Sequence, residues 1–356
     1  MSVVRREARR RWAVVAAMLG ALVAIPLVVA FAPVDAPRIA PGELRERMLA
    51  AAEGPYQGYA ESRGSVVLPD LPQLGDAAAL FGGTTSLRAW HAGPDAWRVA
   101  VLDPVGEKDY FRTASAAFTW DYGRNLWTET AGEPAVRPPQ ASDLVPPELA
   151  RRLLRDAGAG AALSARPARR VAGIAAPGLR VVPADPETTI GAIDVWADPR
   201  SGLPLEVDVG GAFTTRFLEV STDPPAADVL QPRAAGSSGF ASSTQSEITS
   251  SLNSVARANL PATLAGRNRV PGPLSALGAY GAGLSRFFVV AVPGRLGERT
   301  LAALRDAGGE PLASGTGYLV RSAVLNIVVT RSGRRTYLVA GFVAADRLTA
   351  AAGELR

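Results

Sequence analysis

Between residues 171 and 209, apolar and polar positions alternate in three short runs separated by turns. Leu179-Arg180-Val181-Val182 is the first, Ile190 to Trp196 the second, and Leu205-Glu206-Val207-Asp208-Val209 the third. A period of two is the pattern of strands with one covered face. Asp198-Pro199-Arg200-Ser201-Gly202, between the second and third runs, carries the residues that close a hairpin. The spacing therefore predicts an antiparallel sheet. The same alternation fills residues 84–130 as TTSLRAWHA, AWRVAVLD, KDYFRTAS, AAFTWDY and LWTET, with Gly, Pro, Asp and Asn turns between them. Short strands at this interval predict a meander. Tyr56 to Leu68 adds a strand before it and Phe213 to Val220 one at the end. Helical spacing is confined to a few places. Leu44, Met48 and Leu49 predict a helix over Glu43–Ala52, and a short one is expected within Leu71–Phe81. Leu149, Leu153 and Leu154 predict another over Leu144–Ala157, with Pro146-Pro147 in its first turn, where missing N–H groups cost nothing.

The pattern breaks at Pro224. PRAAGSSGFASSTQS is poor in large apolar residues, so 222–259 reads as a Ser/Gly/Ala-rich linker. Beyond it, 260–356 reads as a small α+β domain. Its predicted elements are a helix over Pro273–Leu284, a strand over Arg286–Val292 and a helix over Arg299–Asp306. Strands over Gly317–Val329 and Arg335–Val343 and a terminal helix over Asp346–Glu354 complete it. At the other end of the chain, Ala13 to Ala32 is a continuous apolar run of the length a membrane-crossing helix needs. The expected organisation is a basic cytoplasmic segment (1–12), a transmembrane anchor or uncleaved signal (13–33), and a β-rich domain (41–221), followed by the linker and the small domain.

Charge sharpens the reading of the N-terminus. The chain has 356 residues and a net charge of +5, but Arg5, Arg6, Arg9, Arg10 and Arg11 against Glu7 put +4 of that in the first eleven residues, leaving 5 − 4 = +1 for the rest. Such a cluster orients a membrane span with its basic end in the cytoplasm, placing the bulk of the chain outside. The expected location is the plasma membrane, crossed once. A cleaved leader is the competing reading, although Pro33 and Pro37 follow the small-residue sites where cleavage would fall. A nearly neutral body excludes the basic footprint of a nucleic-acid binder.

Candidate chemistry is sparse. With no cysteine and a single histidine, His91, there is no disulfide, no thiolate metal site and no multi-histidine site. His91 lacks a nucleophile to activate. Asp194, Asp198, Glu206 and Asp208 read as turn and wet-face charges rather than an acid–base pair. The glycines of Tyr280-Gly281-Ala282-Gly283 and Gly315-Thr316-Gly317 complete no nucleotide fingerprint. The sequence thus assigns no catalytic residue, metal ligand or cofactor, and the expectation is a non-enzymatic protein. What it does offer is aromatic side chains: Trp90, Trp97, Phe111, Phe118, Trp120 and Trp127 in the meander, with Trp196 further on. The bland reading makes them core; the sharper one makes them the lining of an apolar groove.

Tyr56-Gln57-Gly58, Val171-Ala172-Gly173, Asp194-Val195-Trp196-Ala197-Asp198 and Gly202-Leu203-Pro204-Leu205, in this order of elements, resemble the LolA-like envelope proteins. Within that superfamily the chain is most similar to the RseB/MucB type of sigma-factor regulator, and more loosely to the LppX/LprG lipid-binding proteins. The resemblance covers about residues 43–221. It implies an α+β fold in which a half-open antiparallel β-barrel carries helices against its concave face. The implied ligand is a lipid or acylated protein held in an apolar groove, and the implied partner of the RseB type is a membrane anti-sigma factor. The alternative within the superfamily is a lipid or lipoprotein carrier. The absence of a cysteine for lipidation, with the expected anchor, departs from both groups and argues against a shuttle.

Overall fold

The computed structural model describes residues 12–16, 18–20, 34–65, 79–103, 106–132, 139–233, 238–255, 258–292 and 294–355. Residues 1–36 and 37–356 form separate compact units, and both sheets of the protein belong to the second. Most of the apolar run expected as a transmembrane anchor, 13–33, lies outside the described residues. No helix among the described residues is long and apolar enough to cross a membrane.

The first sheet has 12 strands in the order β12-β6-β5-β4-β3-β2-β1-β11-β10-β9-β8-β7. Its strands are β1 (Tyr56–Gly64), β2 (Thr84–Gly93), β3 (Ala96–Asp103), β4 (Gly106–Arg112), β5 (Ala116–Asp121) and β6 (Leu126–Ala131), then β7 (Ala162–Val171), β8 (Ile174–Val182), β9 (Ile193–Ala197), β10 (Pro204–Val209), β11 (Phe213–Ser221) and β12 (Gly239–Thr244). Its end strands, β12 and β7, do not pair, so the sheet is open rather than a closed barrel. Helices α1 (Pro41–Ala51) and α2 (Pro146–Asp156) cover one side, together with a 3-10 turn over Ala141–Leu144. Both helices begin with proline in the first turn. Leu44, Met48, Leu144, Leu153 and Leu154 are buried there against Leu87, Val99, Leu179, Val195 and Val207 of the sheet. Burial of this kind stabilises by about 25 cal/mol per Å² of apolar surface removed from water.

The expected hairpin is closed by Asp198, whose carboxylate accepts the Arg200 amide at 2.9 Å and the Ser201 hydroxyl at 2.9 Å. Gly202 follows with φ +77°, and a Cβ there would lie 2.9 Å from the Arg47 carbonyl oxygen of α1. Glycine is needed on both counts. Strand β7, absent from the sequence-based prediction, carries Pro167; it survives as an edge strand with its register shifting between Arg166 and Arg169.

The second sheet has 8 strands, β13-β14-β15-β16-β20-β19-β18-β17. They are β13 (Thr263–Leu264), β14 (Arg267–Val270), β15 (Leu277–Tyr280), β16 (Phe287–Val292), β17 (Glu310–Pro311), β18 (Gly317–Arg321), β19 (Asn326–Ser332) and β20 (Arg335–Gly341), with α3 (Gln245–Val255) before them and α4 (Gly294–Asp306) and α5 (Ala345–Glu354) among and after them. Its core gathers Tyr280, Phe287, Val289, Val339 and Leu348. Three expectations are corrected here. Residues 273–284 form β15 and the start of a 3-10 turn rather than a helix, because Gly278 and Ala279 pair with β16. The single strand expected over 317–329 is two, folded back at 322–325. The segment expected as a linker carries β12 and α3, with β12 pairing parallel to β6.

The loop 183–190, between β8 and β9, joins the two sheets. Thr188 bridges to Val343, and the Thr189 amide donates to the Phe342 carbonyl at 3.0 Å. Asp185 accepts from Ser285 and Arg267, and Glu187 from Arg267 and Arg347.

Candidate binding surface

Strand register decides where each aromatic side chain lies, because a shift of one residue exchanges the two sides of a sheet. The pairs Ala89↔Val99, Val99↔Tyr110 and Ala60↔Leu87 belong to the helix-covered side. His91 and Trp97 pair on that same side. Trp90 pairs with Arg98, Arg98 with Phe111, Phe111 with Phe118, Asp109 with Trp120, and Trp120 with Trp127, one residue out of phase with the helix-covered set. Trp196 pairs with Glu206 and is also out of phase with the core residues Val195 and Val207. Only Trp97 of the seven aromatics expected to line a helix-capped groove is on the helix side, where it packs against the core. The other six are on the far side of the sheet.

Five of those six form one row. Trp127 stacks on Trp120 with centroids 5.3 Å apart and meets Phe111 at 5.6 Å. Phe118 is the cross-strand neighbour of Phe111. The Arg98 guanidinium lies between Phe111 and Trp90, 5.2 and 4.8 Å from their ring centroids. Its fork donates to both oxygens of Asp109, at 3.3 and 2.8 Å, and to Glu107 at 3.2 Å. Burial pushes the Asp109 carboxyl up to about 6, against the pull of Arg98. Phe111 and Trp127 are buried, whereas Trp90, Phe118 and Trp120 are half-buried and present ring surface. Beside Trp90, a hollow of about 400 Å³ opens over Gln57, Tyr59, Arg88 and Glu219. Trp127 Nε1, although buried, finds no acceptor among the described residues.

Trp196 stands apart. It is 1% exposed, donates from Nε1 to the Pro167 carbonyl at 2.9 Å, and carries Arg169 3.8 Å above its ring. It is a packing residue, closed to a ligand. The carboxylates near it are structural too, and less wet than expected. Asp194 takes both prongs of Arg180 at 2.7 Å, and Glu206 takes Arg169 at 2.5 Å, leaving each acid 7% exposed. Asp208 accepts the Gly211 amide at 2.8 Å. These acids are committed to their own partners rather than gathered around a common vacancy.

His91 is equally committed. Its ring stacks on Tyr56 at 4.7 Å, and Nδ1 donates to the Gly54 carbonyl at 2.9 Å. Burial lowers its pKa, with the Gly54 carbonyl and Glu148 opposing. Among the described residues, no group of three His, Cys, Asp or Glu side chains is placed to hold a metal. The arrangement can bind through ring faces and charged forks. Sequence reasoning missed Arg98, β12 and the 183–190 loop. For Arg98, its position opposite both Trp90 and Phe111 would have been legible had the register been known.

No protein-family model matches the chain, and no curated protein does. Solved structures do. The complex structure of Pseudomonas aeruginosa MucA/MucB aligns at 17% identity with a TM-score of 0.51, covering 87% of this chain and 97% of the matched one. A crystal structure of MucB aligns at 18% identity with a TM-score of 0.47, covering 89% and 97%. A LolA-superfamily protein from Nitrosomonas europaea gives 8% identity and a TM-score of 0.24, covering 55% of this chain and 99% of its own. The first likeness is one of fold, over a span that takes in both sheets. The chain shares the α+β fold of the chain it matches in that MucA/MucB structure.

Proposed function

We propose that this chain is a non-enzymatic envelope protein of the RseB/MucB type, tethered at the plasma membrane by residues 13–33, that docks a membrane protein partner. The partner is an anti-sigma factor or a membrane regulator like it, and a lipid or acylated protein is the signal. The observation that carries the reading is the extent of the likeness to the MucA/MucB structure, 87% of this chain including the second sheet. That structure is of a complex, and the present chain offers a partner the aromatic row of the far side and the joined second sheet. The signal acts by binding one arrangement of the two sheets better than another.

The carrier reading requires an apolar space between sheet and helices. Leu44, Met48, Leu144 and Leu154 already fill that side, each no more than 2% exposed. The experiment is in-membrane photo-crosslinking of the full chain with a photoreactive residue at Trp90, Phe118 or Trp120. A single-pass membrane protein captured through its extracytoplasmic segment supports the proposal. Capture of lipid alone, or of nothing, overturns it.

A further inference from the structure

Strand β12 is unlike the rest of its sheet. Each of the other pairs is antiparallel; β12 runs parallel to β6, from Gly239↔Leu126 to Thr244↔Ala131. None of its six residues is buried. Phe240 sits in register with Trp127 yet remains 60% exposed. Parallel pairing is the slightly weaker mode, and a strand with no fully buried residue is held mainly by its backbone bonds. After β12, α3 is capped by Thr244 and Glu247. It is tied to the second sheet's domain where Asn253 bonds the Pro273 carbonyl and the Ser275 amide. Removing β12 therefore breaks few contacts outside its own ladder.

Beneath β12, the β6 edge has more to offer than β12 uses. Trp127 and Trp120 lie next to the edge, and the buried Trp127 indole N–H lacks an acceptor among the described residues. An unmet buried donor beside an aromatic pair marks a place that an incoming chain can complete.

We infer that the β6 edge is a strand-addition site, covered at rest by the chain's own β12, for an extended polypeptide segment of a partner. Such a segment replaces the backbone ladder of β12, sets an apolar side chain against Trp127, and brings a polar group to its N–H. Strand addition draws affinity from main-chain bonds and specificity from alternate side chains. The inference deepens the partner-docking reading and rests on it, but its test uses the purified full chain in detergent and needs no native partner. Failure to capture a membrane protein would leave the outcome of this test untouched.

The first measurement is hydrogen exchange. The amides of 240–244 are expected to exchange roughly a hundredfold faster than those of β3 or β5, as a locally opening strand does. Equal protection overturns the inference. The second measurement is in trans. The probe is a fluorescent synthetic peptide of residues 238–247, and the receptor carries Ala241→Pro with Ser242→Pro, which strip β12 of ladder donors at both parities. The peptide is expected to bind this variant roughly tenfold more tightly than it binds the wild type, a difference of about 1.4 kcal/mol. A Phe240→Ala peptide should bind more weakly. Because the chain has no cysteine, Glu129→Cys with Ser242→Cys gives a clean lock at registered positions. The oxidised lock should bind no peptide, and the reduced one should behave as wild type. No binding to the stripped variant, binding to the oxidised lock, or a dimer of the stripped variant in place of peptide binding would overturn the inference.

Discussion

Arg98 holds the far side together, and its two kinds of contact do different work. The ring faces of Trp90 and Phe111 fix the plane of its guanidinium, while Asp109 and Glu107 fix its fork. Asp109 is 4% exposed, so losing Arg98 leaves a buried carboxyl without its cation. Arg98→Ala should cost about 3 kcal/mol in urea unfolding, the scale of breaking a buried pair from one end. Arg98→Lys should fall between that variant and the wild type, keeping charge but losing the planar fork. His91 gives the chain a second titrating contact, on the opposite side of the sheet. Its folded pKa lies below the ordinary 6.5 because burial disfavours the imidazolium. The unfolded chain then binds more protons in that window, so the contribution of His91 to stability is full above 6.5 and is lost as pH falls toward the folded value. Groups around it are Tyr56, the Gly54 carbonyl, and Glu148 and Arg151 of α2. Asp109 runs the other way: its pKa is raised, so its share is lost as pH rises from 3.8 through about 6. His91→Gln should therefore reduce the loss of urea midpoint seen between about pH 7.5 and about pH 5.5. An unchanged slope would mean that the imidazole does not titrate in this range.

At the scale of elements, hairpins with strong turn chemistry were legible and faces were not. Asp198 to Gly202 reads as a turn, and it closes the pair Pro204↔Ala197. The aromatic residues of the meander were recognisable as a group. Trp90 and Trp97, however, stand on opposite sides because the register shifts between His91 and Gly93, an irregularity no composition reveals. Helix α2 shows the converse case, where periodicity sufficed: Leu153 and Leu154 lie on the buried stripe as expected. Leu154→Ala should cost about 3 kcal/mol, because the cavity opens between α2 and a sheet too well packed to close over it. Strands β7 and β12 escaped notice for opposite reasons. Pro167 with Arg166, Arg169 and Arg170 hid an edge strand, and Ser, Gly and Ala hid a strand that buries nothing.

The whole molecule is governed by what ties its two sheets together. The 183–190 loop gives the second sheet a backbone bridge at Val343 and two carboxylates for Arg267 and Arg347. The Glu187 carboxyl is held below its ordinary range first by its bond from Arg267. At Asp185, desolvation pushes upward, and the bonds from Ser285 and its other donors outweigh it to leave the carboxyl lowered. Both acids thus contribute fully above the ordinary carboxylate range and lose that contribution as pH falls through their lowered values. Glu187→Gln should loosen the junction, seen as faster limited proteolysis between the sheets with the unfolding of each core unchanged. The central claim, a docking regulator rather than a carrier, is tested most directly by native mass spectrometry of the full chain extracted from its own membrane, with lipid extraction alongside. The account predicts a complex whose mass is the chain plus a membrane protein. The chain without any protein partner would contradict it.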